Sequence, residues 1–143
     1  MNVTKMTLAQ KRARTQWSAQ FLAAAELVRR GYMVAFTMGN HTPDADLAVV
    51  APKNKRHFLV DVKGLGSKGA WLLKPKNKRP DLYYILVHVG STRTSDRFFV
   101  LTSKEAKKAT DWFDPEEQDK WKTPGFSFGV AKPFEDKWSK LPQ

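Results

Sequence analysis

Asp61-Val62-Lys63 places a carboxylate and an ammonium two positions apart at the end of an apolar run. On a β-strand, residues i and i+2 project from the same face, so both charges leave one strand end together. Asp46 opens a second apolar run, Leu47 to Val50, fifteen positions earlier. If the two runs form a hairpin about the turn Pro52-Lys53-Asn54-Lys55-Arg56, the start of one lies beside the end of the other. Asp46, Asp61 and Lys63 then converge. Two carboxylates suit a hard divalent cation, Mg²⁺ or Mn²⁺, which takes oxygen ligands and leaves positions for water and phosphate. Such a cation stabilises charge on a phosphate and acidifies water. A lysine beside it orients or deprotonates that water, or holds the phosphate. A D-x-K tripeptide alone also fits a buried ion pair, so the surrounding elements decide between the two readings.

Those elements follow from periodicity. Trp17, Phe21, Ala24, Ala25 and Val28 recur at helical spacing, which predicts a helix over Arg14–Arg30 with this stripe facing the core. Gly31 closes it, where left-handed backbone is common. Tyr32–Phe36 reads as a strand and Gly39–Asp44 as a loop. Asp46–Val50 and His57–Lys63 are the second and third strands, an antiparallel hairpin. Gly64–Pro80 is rich in Gly, Lys and Pro, has no helical period, and holds a short apolar Trp71-Leu72-Leu73. Leu82–Val89 is almost continuously apolar, as in a strand covered on both faces. Arg97–Leu101 is a fifth strand. Thr102 and Glu105 form a capping box for a short helix near Ser103–Ala109. Asp114-Pro115-Glu116-Glu117 opens another, and Phe134–Trp138 reads as a last helical turn. The chain of 143 residues is expected to be one α/β domain, a mixed central sheet of about five strands flanked by helices.

This order of elements, with Pro43-Asp44-Ala45-Asp46-Leu47 at one strand start and Val60-Asp61-Val62-Lys63 at the next strand end, resembles the PD-(D/E)XK nuclease superfamily and its restriction-endonuclease-like fold. The resemblance covers residues 16 to 64 and extends more loosely through the fourth and fifth strands. It implies a metal-dependent phosphodiesterase acting on nucleic acid, with DNA favoured over RNA. Asp46 and Asp61 would then be metal ligands, together with the backbone carbonyl of Val62, and Lys63 the catalytic lysine. The family often adds a glutamate from the first helix. Gln20 is assigned to that position here, because Glu26 falls on the solvent side of the helical wheel with Arg29 and Arg30. A glutamine leaves a second reading open, a catalytically weak or inactive nucleic-acid-binding module. The superfamily also has a crossover helix between its third and fourth strands, which Gly64–Pro80 does not encode. Small stand-alone members, Holliday junction resolvases among them, are often homodimers, and a homodimer is the expected assembly.

Charge points the same way. Twenty-five Lys and Arg oppose fourteen Asp and Glu, a net charge of +11, which favours a polyanionic partner. Residues 1–80 hold fifteen bases and four acids, and residues 81–143 hold ten of each. The nucleic-acid-binding candidates are Lys53, Lys55 and Arg56 at the hairpin turn, and Lys68, Lys74, Lys76, Lys78 and Arg79 after the third strand. Such groups give salt-dependent, sequence-independent affinity for phosphates. Lys11, Arg12 and Arg14 extend the footprint, and Trp71 between the loops is a candidate base-stacking platform. A basic ribonucleoprotein component is a third reading.

Other signals exclude or narrow. Gly64-Leu65-Gly66-Ser67-Lys68-Gly69 matches G-x-G-x-x-G, but Pro75 and the basic loop oppose the helix a dinucleotide site needs. The glycines suit either backbone approach to a phosphate or a flexible turn. His57 and His88 read as structural, while His41 lies close enough to Asp46 to be a site candidate. The absence of cysteine excludes a disulfide scaffold, a thiolate metal site and a cysteine nucleophile. No leader-like or membrane-spanning run is present, so a cytoplasmic location without membrane association is expected.

Overall fold

A capping box starts the first helix, α1 (Leu8–Arg29). The Thr7 hydroxyl accepts from the Gln10 backbone N–H at 3.2 Å, and the Gln10 side chain accepts from the Thr7 N–H at 2.8 Å, so two orphan donors are satisfied at once. The helix therefore begins nearly two turns before Arg14. Its first turns are solvated and basic and carry no apolar period from which a start could be read. Gly31 follows the helix with φ +91°, the left-handed closure expected from the sequence.

The computed structural model describes residues 5–37, 45–67, 69–74, 78–111 and 125–143. The strands are β1 (Met33–Phe36), β2 (Leu47–Val50), β3 (His57–Leu65), β4 (Ala70–Leu72), β5 (Leu82–His88), β6 (Arg97–Thr102) and β7 (Gly125–Ser127). Five of them form one mixed sheet in the order β1-β2-β3-β5-β6. β3 and β5 are parallel, and every other pair in this sheet is antiparallel. The fold is thus the mixed five-stranded α/β arrangement expected. Parallel neighbours need a crossover. Among its described residues, this one carries β4, which pairs with β7 in a separate two-stranded ribbon, and no helix. α2 (Ser103–Thr110) starts at the expected Thr102–Glu105 capping box. A short α3 (Phe128–Ala131) and 3-10 turns at Lys132–Phe134 and Trp138–Lys140 finish the chain. The Gly39–Asp44 loop with His41, the helix expected at Asp114, and Trp112 and Trp121 lie outside the described residues.

Both faces of the sheet are covered. On one, Leu27 of α1 packs with Val60, Val62 and Ile85, and Trp138 closes the edge. On the other, Trp71 and Phe126 of the ribbon pack with Tyr84, Leu86 and Phe99. β5 lies between them, buried from Leu82 to Val87, as its unbroken apolar run requires.

The buried face of α1 is not the Trp17–Phe21–Val28 stripe. Trp17, Phe21 and Val28 are exposed, and the buried residues are Ala19, Gln20, Ala23, Ala24 and Leu27, rotated by about 100° around the helix. The cause is close approach. A Cβ added to Gly64 of β3 would stand 2.9 Å from Ala19 Cβ and 2.9 Å from the Thr15 carbonyl oxygen, so only small side chains fit between helix and strand. The aromatics are pushed to the flank, where Trp17 stacks on Phe21 and Phe21 on Phe36, with centroids 5.9 and 5.3 Å apart. Close packing on α1 thus accounts for Gly64, and the phosphate-approach and flexible-turn readings are not needed there. Gly64→Ala is expected to destabilise the fold by about 1–3 kcal/mol through overpacking against backbone, measured by denaturant unfolding.

Candidate active site

The site grows from a mismatch in strand length. The β2–β3 ladder ends at Leu47↔Val60, while β3 continues from Asp61 to Leu65. Its overhang leaves backbone donors and acceptors on the β2 side that need partners. Side chains provide them. The Val62 N–H donates to Asp46 Oδ2 at 2.8 Å. Gln16 of α1 donates from Nε2 to the Val62 carbonyl at 2.8 Å and accepts from the Gly64 N–H at 3.1 Å. Asp46 itself is held by its backbone N–H, which donates to the Val60 carbonyl at 2.9 Å.

The convergence inferred from the sequence is present. Lys63 Nζ lies 3.0 Å from Asp61 Oδ1. Gln20 Nε2 donates to Asp46 Oδ1 at 3.3 Å, and the Asp46 and Asp61 carboxyls are close enough to interact directly. Asp61 is 3% exposed and Gln20 8%, whereas the Lys63 side chain is one-third exposed. Burial, then the charge of Asp61, push the Asp46 carboxyl above its ordinary value, and the Val62 N–H and Lys63 offset this only in part. Tyr84, the register partner of Asp61 on β5, has its phenol pushed up to about 12 by burial and by the Asp61 charge. Two carboxylates are thus crowded in a largely buried corner with one ammonium beside Asp61. A divalent cation would relieve that crowding, so the donor set fits a hard metal in its carboxylates.

The Val62 carbonyl, the backbone ligand expected from the resemblance, accepts one hydrogen bond from Gln16. Among the described residues no group of three His, Cys, Asp or Glu gathers. The α1 contribution is two amides one turn apart, Gln16 and Gln20. Gln16 escaped the sequence reading because the assumed helix phase turned that face away from the core. The signal was present as a Gln at i and i+4 beside Ala19 and Ala23. Gln16→Ala should leave the Val62 carbonyl and the Gly64 N–H without partners and cost about 1–3 kcal/mol, visible as a lowered denaturation midpoint.

The nucleic-acid-binding candidates are dispersed. Lys53, Lys55 and Arg56 sit at the β2–β3 turn, about 16 Å along β3 from Asp61, at the opposite end of the hairpin from the carboxylates. Arg56 reaches the Pro80 carbonyl there at 3.4 Å. Lys78 and Arg79 share that end, beside Ser103 and Lys104, and Arg79 is paired with Asp81 at 2.9 Å. The turn connects strands whose chemistry is at their other ends, so neither group flanks the site. Lys74 is exposed two residues past β4. Lys68 and Lys76 lie outside the described residues. Trp71 is 1% exposed, its indole N–H donates to the Val87 carbonyl at 3.2 Å, and its ring packs on Phe99 and Phe128. It is a core residue and offers no face to a base. His57 is exposed at the start of β3, and His88 packs edge-on against Phe128. Among the described residues, no helix is long and apolar enough to cross a membrane.

Comparison with known proteins places the fold. No family model and no curated protein matches the chain. Among solved structures, a bacterial homing endonuclease, I-Ssp6803I, is similar over 90% of this chain and 90% of that one, with TM-score 0.56 and 13% sequence identity. The shared property is the fold, a mixed α/β sheet that this endonuclease also carries.

Proposed function

We propose that the chain is a metal-dependent endonuclease of the PD-(D/E)XK kind that hydrolyses phosphodiester bonds in DNA. The observation that carries this reading is the meeting of Asp46, Asp61 and Lys63 at the β3 overhang, with Gln20 presented from α1. The fold held in common with a homing endonuclease supports it. Asp46 and Asp61 would hold Mg²⁺ or Mn²⁺. When bound, the cation supplies neutralisation of developing phosphate charge and acidifies water. Lys63, one-third exposed and ion-paired with Asp61, holds the scissile phosphate or orients the attacking water by donating to its oxygen. Gln20 fixes the Asp46 carboxylate from behind, and Gln16 holds the β3 edge against α1.

The test is incubation with supercoiled and branched DNA in Mg²⁺, in Mn²⁺ and in a chelator. Metal-dependent nicking or resolution is the expected result, and absence of any product in both metals overturns the assignment. The resemblance to small resolvases makes a homodimer the assembly to check by light scattering. A second reading, a binding module without cleavage, is favoured by the amides at Gln16 and Gln20 where an acid would strengthen metal binding. It requires DNA affinity that is salt-sensitive and indifferent to Asp61→Ala.

A further inference from the structure

A groove of about 840 Å³ runs between the N-terminal half of α1 and the end of β3 with the start of β4. Lys11, Arg12 and Arg14 line it from α1, and Lys63 and Gly64 line it from β3. Leu72, more than half exposed, lines the opposite side. Among the described residues no acid lines it, and the chain has none before Glu26. Lys11, Arg12 and Arg14 are exposed, and among the described residues none of the three has an ion-pair partner. Lys63 faces both this groove and Asp61, so the basic wall leads directly to the carboxylates.

Of the three bases, only Arg14 makes a local contact, donating to Met6 Sδ at 3.5 Å. The N-terminal end of a helix is the positive pole of its macrodipole and favours acids, yet the first turn of α1 contains none, and Lys11, Arg12 and Arg14 follow it. No acid of α1 stands before Glu26 to neutralise them. We infer that this groove seats the phosphate backbone of the nucleic-acid strand entering the site, with the phosphates on Lys11, Arg12 and Arg14 and the sugar edges against Leu72. The inference rests on the nuclease reading for what lies at the groove's end. It moves the binding surface from the hairpin turn to α1.

The experiment compares two triple variants in an Asp61→Asn background, which prevents cleavage during titration. One is Lys11→Gln, Arg12→Gln, Arg14→Gln. The other, Lys53→Gln, Lys55→Gln, Arg56→Gln, removes the same charge from the far end of the hairpin. Fluorescence anisotropy is recorded over a salt series with DNA and RNA probes of one sequence. The effect must appear on whichever probe the parent binds more tightly. The α1 triple is expected to weaken binding at least 10-fold and to reduce the log–log salt slope by about 2–3, at roughly 0.9 or slightly less per phosphate contact. The hairpin triple is expected to change affinity less than threefold. Equal losses from both triples, a larger loss from the hairpin triple, or no binding of either probe by the parent overturns the groove. Thermal melts check that both triples are folded at the temperature of the titration.

The two readings fail separately. If the chain with Asp61 intact cleaves DNA while the α1 triple binds normally, the groove falls and the nuclease stands. If the α1 triple loses binding while the intact chain cleaves in neither metal, the nuclease falls and the groove stands.

Discussion

Asp61→Asn is expected to lower metal-dependent DNA cleavage by at least about 10³-fold, some 4 kcal/mol of barrier, with the fold retained. Asp61 is almost fully buried and bonded at its mouth to Lys63. The amide preserves its volume and much of its hydrogen bonding and removes only the charge that would bind a cation. Lys63→Ala should cost as much activity by a different route. It leaves both carboxylates, so titration with Mn²⁺ should still show binding, whereas Asp61→Asn should abolish that binding. Lys63→Ala also leaves a buried carboxylate without its counter-charge. The lysine is one-third exposed, so the stability loss is discounted to about 1–2 kcal/mol from the value of a fully buried pair. Equal cleavage by the parent and Asp61→Asn would remove the site from the mechanism.

Asp46→Asn is expected to split function from stability, abolishing cleavage while raising the melting temperature at neutral pH. The sign follows from the raised carboxyl. Burial and the Asp61 charge lift Asp46 above its ordinary 3.8, so the folded chain holds that proton more tightly than the unfolded chain. The stability this contributes is present below the ordinary value and is lost as pH rises through the raised one. At neutral pH the ionised group therefore strains the fold. Asparagine escapes that penalty and can still accept the Val62 N–H, with the Gln20 amide turned so that its oxygen accepts from the new Nδ2. Mg²⁺ should raise the melting temperature of the parent, because it binds the folded state, and leave Asp46→Asn unmoved. A variant that melts lower than the parent at neutral pH would contradict the crowded-carboxylate account.

The β2–β3 hairpin and β5 were legible because their signals are local. A short basic turn joins two apolar runs, and an unbroken apolar segment has to be covered twice. The meeting of Asp46 with Asp61 followed from hairpin geometry alone. The face of α1 was not legible in the same way. Hydrophobicity ranks Trp17 and Phe21 above Ala19 and Ala23, but the helix lies too near Gly64 for aromatics, and steric fit overrode the apolar stripe. The β4–β7 ribbon was hidden for another reason. Each strand has three residues, and Trp71 meets Phe126 across more than fifty positions of sequence, where no periodicity operates. Trp71 looked available for stacking because its partners are so distant. Basic residues were easy to count but not to place, since a hairpin turn and the strand ends it serves lie at opposite ends of the sheet.

The overhang of β3 has a consequence for exchange with solvent. The amide hydrogens of Val62 and Gly64 are held by Asp46 and Gln16 in place of a neighbouring strand. Their exchange with deuterium is therefore set by departures of side chains and of α1, and the Gly64 amide should be released by undocking of the helix while the strand core stays protected. That single proton is a built-in reporter of helix docking at the site, readable without substrate or metal.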